Sequence, residues 1–78
     1  DEIEAYAMNI GDEFIRKVGK EGAVDLLRMA KKTAQFKTKV GQFLSPDLLA
    51  YFALFNFDSN HPVIKRLLKK IYIHIQEQ

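Results

Sequence analysis

The stretch from Phe43 to Phe57, FLSPDLLAYFALFNF, constrains the fold more than any other part of the chain. It opens on Ser45-Pro46-Asp47, a helix-start signal. A serine oxygen accepts from orphan backbone N–H groups, proline suits the first helical position, and aspartate favours the positive end of the helix dipole. Leu48, Leu49, Tyr51, Phe52, Leu54 and Phe55 then leave no polar face, and Ala50 and Ala53 are small enough for other helices to approach. A helix apolar all round is buried or membrane-inserted. This run is about a dozen residues, short of the ~20 that a spanning helix needs. The spacing therefore predicts a buried central helix over residues 46–56, wrapped by the other segments.

The 78 residues suit a single domain, 1–78. A domain of this size buries only about 60% of its unfolded surface, so its stability is modest. With 47% hydrophobic and 28% charged residues, the composition is globular. The chain has no cysteine. This excludes a disulfide framework, a thiol nucleophile and the usual structural zinc sites, and it fits a reducing compartment. Acids open the chain and no early apolar run follows, so no signal peptide is expected. The first residue is not Met, and the expectation is a C-terminal part of a longer protein.

The net charge of +2 hides an asymmetry. Residues 1–30 hold seven acids against four bases, and residues 31–78 hold eight bases against three acids. A basic half suits an acidic partner: a protein, a nucleic acid or a membrane surface.

Ile3, Tyr6, Ala7, Ile10, Phe14 and Val18 recur at helical spacing and predict a first helix over 2–18, with Asp12 and Glu13 on its wet side. Gly19 suits the position after its end. A second helix is expected from about Glu21 through Lys32, with Arg28, Lys31, Lys32 and Gln35 at i, i+3, i+4, i+7 forming one polar stripe. In 33–44, Ala34, Phe36, Thr38 and Val40 alternate with polar residues. That pattern fits at most a minor strand in 33–41 with lysines guarding its edge, or a loop with an irregular helical turn. Asp58-Ser59-Asn60-His61-Pro62 is a turn, with Asn60 or Ser59 able to cap. The last helix runs from Pro62 to about Gln76, with Ile64, Leu67, Leu68, Ile71 and Ile75 as its core stripe. Lys65, Arg66, Lys69 and Lys70 form its basic face, and Tyr72 and Ile73 fall at the boundary. The expected fold is a mainly α, compact bundle of about four helices.

Catalytic chemistry is poorly represented, and the expectation is no enzyme and no cofactor. His61 and His74 stand far apart without an HExxH pattern; the first suits a helix cap and the second a solvated face. Ser45 lacks the G-x-S-x-G elbow of a nucleophile. Asp12 and Glu13, adjacent on a helix, point in different directions and form no dyad. Gly19-Lys20-Glu21-Gly22 has the G-x-x-G form of a KH loop, which clamps a nucleic-acid backbone beside a sheet. A helix-turn-helix built on the first two helices is the other nucleic-acid reading. Two basic stripes beside spare apolar residues instead suit a protein-binding patch with charge steering.

Three stretches carry a family resemblance: EIEAYAMNIGDEFIRKV, with an acidic start and a Phe followed closely by two bases; AVDLLRMAKK, with an early Asp and late lysines; and AYFALFN. With the basic terminal helix, they resemble the C-terminal, nucleocapsid-binding domain of rhabdovirus phosphoproteins. The resemblance covers most of the chain. It implies a non-catalytic polymerase cofactor that binds the viral nucleoprotein–RNA complex and tethers the polymerase to its template, in the virion and host cytoplasm. It implies no direct membrane contact, and the isolated domain is expected to be monomeric. The lyssavirus members of the family use a basic patch at the end of the first helix, which falls here on Arg16, Lys17 and Lys20. Their hydrophobic hollow is built around a Trp that matches Tyr51, with a companion near Tyr72 or Ile73. This sequence has no Trp, and its basic charge is weighted to the second half. The binding face is therefore also expected at Lys31, Lys32, Lys65, Arg66, Lys69 and Lys70. Plant-infecting rhabdoviruses would be a home for so divergent a member.

Overall fold

Four helices follow one another: α1 (Glu2–Arg28), α2 (Thr33–Gly41), α3 (Pro46–Ala53) and α4 (Pro62–Gln76). The structure is a computed structural model and describes residues 2–78. The domain is an all-α bundle, as the periodicities predict, and there is no strand among the described residues.

A straight helix as long as α1 would measure about 40 Å, yet the longest dimension of the domain is 27 Å. Gly19 accounts for the difference. Its φ of 78° and ψ of 171° lie in a region essentially reserved for glycine. It divides α1 into two arms, 2–18 and 20–28. Three contacts show how the first arm runs: Glu4 to Lys70, Asp12 to His74, and Lys20, just past the bend, to the carbonyl of Gln78. The numbers rise together, so the first arm is parallel to α4. Beyond the bend the order reverses. Lys20 and Val24 share a depression with Gln76, then Leu27 and Arg28 share one with Leu68 and Tyr72. The second arm therefore returns antiparallel, and α4 lies against both. The two expected helices are present, but the second ends at Arg28 rather than Lys32. Lys31 and Lys32 lie in the following turn, so the expected stripe Arg28, Lys31, Lys32, Gln35 is not continuous along one helix.

α4 follows the sequence reading closely. Ile64, Leu67, Ile71 and Ile75 are buried, Leu68 of the expected stripe is only half-buried at its margin, and Pro62 occupies the first turn. The cap is His61, as its place before Pro62 suits, and Asn60 and Ser59 do not take that role. Its Nδ1 accepts from the Val63 N–H at 3.1 Å, and its ring sits 4.8 Å from that of Phe55. Asn60 instead donates its backbone N–H to Asp58 Oδ1 at 2.9 Å, closing the turn.

Residues 33–41 correct the strand reading. They form α2, with Phe36 and Val40 buried and Ala34 and Thr38 exposed. Each of these pairs is spaced by four, so an alternating pattern and a helical one coincide here. The Thr38 hydroxyl donates to the Ala34 carbonyl at 2.9 Å, and the Phe36 ring meets Phe52 edge-on at 5.4 Å.

The central helix is also revised. α3 begins at Pro46 as expected but ends at Ala53. Leu48, Tyr51 and Phe52 are buried, while Ala50 and Ala53 are exposed and Leu54 is 72% exposed. α3 is thus one wall of the core. The centre is shared by Phe14 and Ile10 of the first arm, Phe36, Phe52 and the apolar stripe of α4. Ser45 makes no side-chain cap. Its backbone N–H instead donates to Glu13 Oε1 at 3.2 Å, so Glu13 is half-buried rather than on a wet face. After α3, Asn56 and Phe57 adopt φ of 56° and 53°. The Phe57 N–H donates to the Phe52 carbonyl at 3.0 Å and its buried ring stacks on Phe52 at 5.4 Å, which holds this left-handed turn in place.

Candidate docking face

The basic face expected on α4 splits in two. Lys70 faces the first arm, with its Nζ 3.0 Å from Glu4 Oε1. That hydrogen bond holds the Glu4 carboxyl below its usual 4.5, helped by the charges of Lys70 and Arg66. Lys69 faces away from this pair. With Val24, Leu27, Arg28, Leu68 and Tyr72 it lines a depression of about 350 Å³ between the second arm and α4. Lys65 stands one turn earlier on the same side of the helix. A second depression of about 530 Å³ adjoins the first, sharing Val24 and Arg28 and adding Lys20, Glu21, Asp25 and Gln76. The Arg28–Asp25 pair is 3.7 Å apart and largely exposed, a geometry that contributes little.

The other flank of α4 has a different character. Ala7, Met8 and Ile73 line a depression of about 300 Å³ bordered by Glu4, Lys70, His74 and Glu77. Its charges are largely paired. His74 Nε2 lies 2.7 Å from Asp12 Oδ1, and the imidazole is mostly buried, which corrects the expected solvated position. Gly11 permits this approach, because a Cβ there would fall 2.7 Å from His74 Cδ2. Met8, Tyr72 and Ile73 are 52%, 45% and 46% exposed. The result is an apolar band across the outer ridge of α4, with the Glu4–Lys70 and Asp12–His74 contacts on one edge and Lys20, Glu21, Asp25, Arg28 and Lys69 on the other. Apolar centres with polar rims are the usual anatomy of protein interfaces.

Tyr72 and Ile73 belong to this band, but Tyr51 does not. Tyr51 is 8% exposed and its ring stacks on Tyr6 at 4.1 Å. The hollow expected around Tyr51 is therefore filled by aromatic packing. Arg16 lines a depression of about 480 Å³ with Asp12, Glu13 and Asp47, Lys17 is exposed, and Lys20 lies across the Gly19 bend. Lys31 and Lys32 are exposed in the turn after Arg28. Gly19-Lys20-Glu21-Gly22 is a bend inside α1, and with no strand among the described residues the KH reading has no sheet to stand on. Met8, Val24, Leu27 and Leu68 are the band residues that sequence reasoning assigned to no site. Their only sequence signal was apolar character at the margin of a helical stripe.

Among the described residues, no three His, Asp or Glu side chains gather where a metal could be held, and no helix is long and apolar enough to cross a membrane. No protein-family model, curated protein or solved structure matches the chain.

Proposed function

We propose that this chain is a non-catalytic docking domain that binds a viral nucleoprotein–RNA complex and so tethers a polymerase to its template in the virion and host cytoplasm. The viral partner comes from the resemblance of the three sequence stretches. The observation that favours docking is the apolar band over α4 with Lys69, Arg28 and Lys20 along one edge. Such an edge suits an acidic segment of a partner protein, with Tyr72 as the apolar anchor. Exposed charges contribute about 0.2–1 kcal/mol each, so several act together, and added salt weakens the complex.

The test is binding of the purified domain to nucleoprotein–RNA rings. Arg28→Glu with Lys69→Glu is expected to weaken binding at least tenfold with an unchanged melting temperature, and Tyr72→Ala to do the same. Charge reversal at Arg16 and Lys17 probes the patch that the resemblance alone implies. If the rings bind but the α4-face variants bind as well as the parent, the face is wrong. Absence of binding to the rings at low salt would sink the nucleoprotein reading itself.

A further inference from the structure

The seam between the second arm and α4 has a shape and a charge order of its own. Val24 and Leu27 stand one turn apart on the arm, and Leu68 and Tyr72 one turn apart on α4. All four line one depression, with Val24, Leu27 and Leu68 half-buried and Tyr72 exposed. Two apolar rows on antiparallel helices, open along their junction, form a groove into which a third helix can pack its own ridge. The adjoining depression shares Val24 and Arg28 and extends the groove to Gln76. From Leu68 to Gln76 its α4 wall is about 12 Å long, enough for helix anchors at i, i+4 and i+7, which span about 10 Å. Charge is ordered along this length. Arg28 and Lys69 border the Leu68 end, where no acid lines the depression, and Lys20, Glu21 and Asp25 border the Gln76 end. Asp25 approaches Arg28 at 3.7 Å, but both side chains are largely exposed, so the pair does little to offset the positive end.

We infer that this groove holds an amphipathic α-helix of the partner protein, parallel to the second arm and antiparallel to α4, with its C-terminal turn and acidic side chains over Arg28 and Lys69. The inference rests on the α4 face being a docking face and specifies what docks there. A helix closes its own backbone hydrogen bonds, and the groove offers side chains only. There is no strand edge among the described residues for an extended peptide to pair with. A proline-rich segment needs an aromatic-lined groove, and Tyr72 is the one aromatic lining these two depressions among the described residues. The direction follows from charge, because a helix carries the negative end of its dipole at its C-terminus.

The test uses a random peptide library and so does not depend on nucleoprotein. Phage-displayed peptides of about 16 residues are selected on the domain and counter-selected on Tyr72→Ala. The enriched sequences are expected to carry apolar residues at i, i+3 or i+4, and i+7, with Asp or Glu in the turn that follows. A selected peptide is expected to become helical on binding, by circular dichroism. It should lose about tenfold or more in affinity for Tyr72→Ala and for Arg28→Glu/Lys69→Glu, each with an unchanged melting temperature. Moving its acids to the first turn should cost about fivefold. A spin label at its C-terminus should broaden the amide signals of Arg28 and Lys69 more than those of Lys20 and Gln76. An alternating or proline-rich consensus, no enrichment over Tyr72→Ala, or stronger broadening at the Lys20 end overturns the inference. Helical peptides selected by a domain that ignores nucleoprotein–RNA rings would uphold the groove and remove the nucleoprotein alone. Rings bound through Tyr72 without a helical consensus would do the reverse.

Discussion

The rings of Tyr6 and Tyr51 lie 4.1 Å apart and only 16° from parallel, joining the first arm of α1 to α3. Burial pushes the Tyr51 phenol above its usual 10.0, and the charge of Glu2 and the neighbouring Tyr6 push in the same direction. A raised folded-state value means that the neutral phenol is favoured in the fold. Its contribution is whole below pH 10 and is lost as pH rises through the folded-state value. The parent domain is thus expected to lose more stability between pH 9 and 11 than Tyr51→Phe, which keeps the stack and cannot ionise. Parallel losses in urea titrations of the two proteins would count against the stack as the alkaline weak point.

At the acid end the sign reverses. Glu4 is held below 4.5, first by its hydrogen bond to Lys70. The folded state favours its carboxylate, so its contribution is present above pH 4.5 and fades as pH falls through the folded-state value. Glu4→Gln should flatten the acid side of the stability profile between pH 5 and 3. The difference from the parent should shrink as salt is added, because the pair is exposed.

Two glycines give opposite kinds of strain. At Gly19 a side chain would meet nothing within 4 Å, but φ is 78°. Gly19→Ala is expected to cost about 1–3 kcal/mol through backbone strain alone. At Gly11 the added Cβ would sit 2.7 Å from His74 Cδ2. Gly11→Ala should cost about 1–3 kcal/mol by overpacking. In combination with His74→Ala most of that cost should disappear, whereas Gly19→Ala should be unaffected by the same change. Urea unfolding of the single and double variants measures both.

The division of α3 and its C-cap residue Leu54 into a buried and an exposed side has a direct test. Phe52 is fully buried, and Phe52→Ala is expected to cost about 3–5 kcal/mol. Domains are stable by only about 5–15 kcal/mol in total. Leu54 is 72% exposed, and Leu54→Ala is expected to stay within about 0.5 kcal/mol. If α3 were enclosed on all sides, the two truncations would both be severe.

What the sequence made legible was what local pattern can encode. The stripe of α4, the proline starts at Pro46 and Pro62, and the break at Gly19 all follow from spacing within a few residues. α2 was obscured because Ala34, Phe36, Thr38 and Val40 satisfy a two-residue and a four-residue period together. α3 was misjudged because apolar character all round does not reveal which side lacks a neighbour. The docking band was less legible still. Lys69 and Tyr72 could be picked out as surface residues, but their partners Val24, Leu27 and Arg28 meet them only through the reversal at Gly19. The Asp12–His74 contact joins residues 62 positions apart, and no local pattern announces it.

α4 lies against both arms of α1, and this sets the order in which the domain can be completed. The stripe Ile64, Leu67, Ile71 and Ile75 covers Ile10 and Phe14, which were made some fifty residues or more earlier. Without α4, the sides of the two arms that it covers are open to solvent, even where α3 already packs on the first arm through Tyr6 and Tyr51. Closure across so long a loop is entropically costly until the covering contacts form. A domain cut before Pro62 therefore keeps that apolar face open, and the fold closes only when its last helix docks.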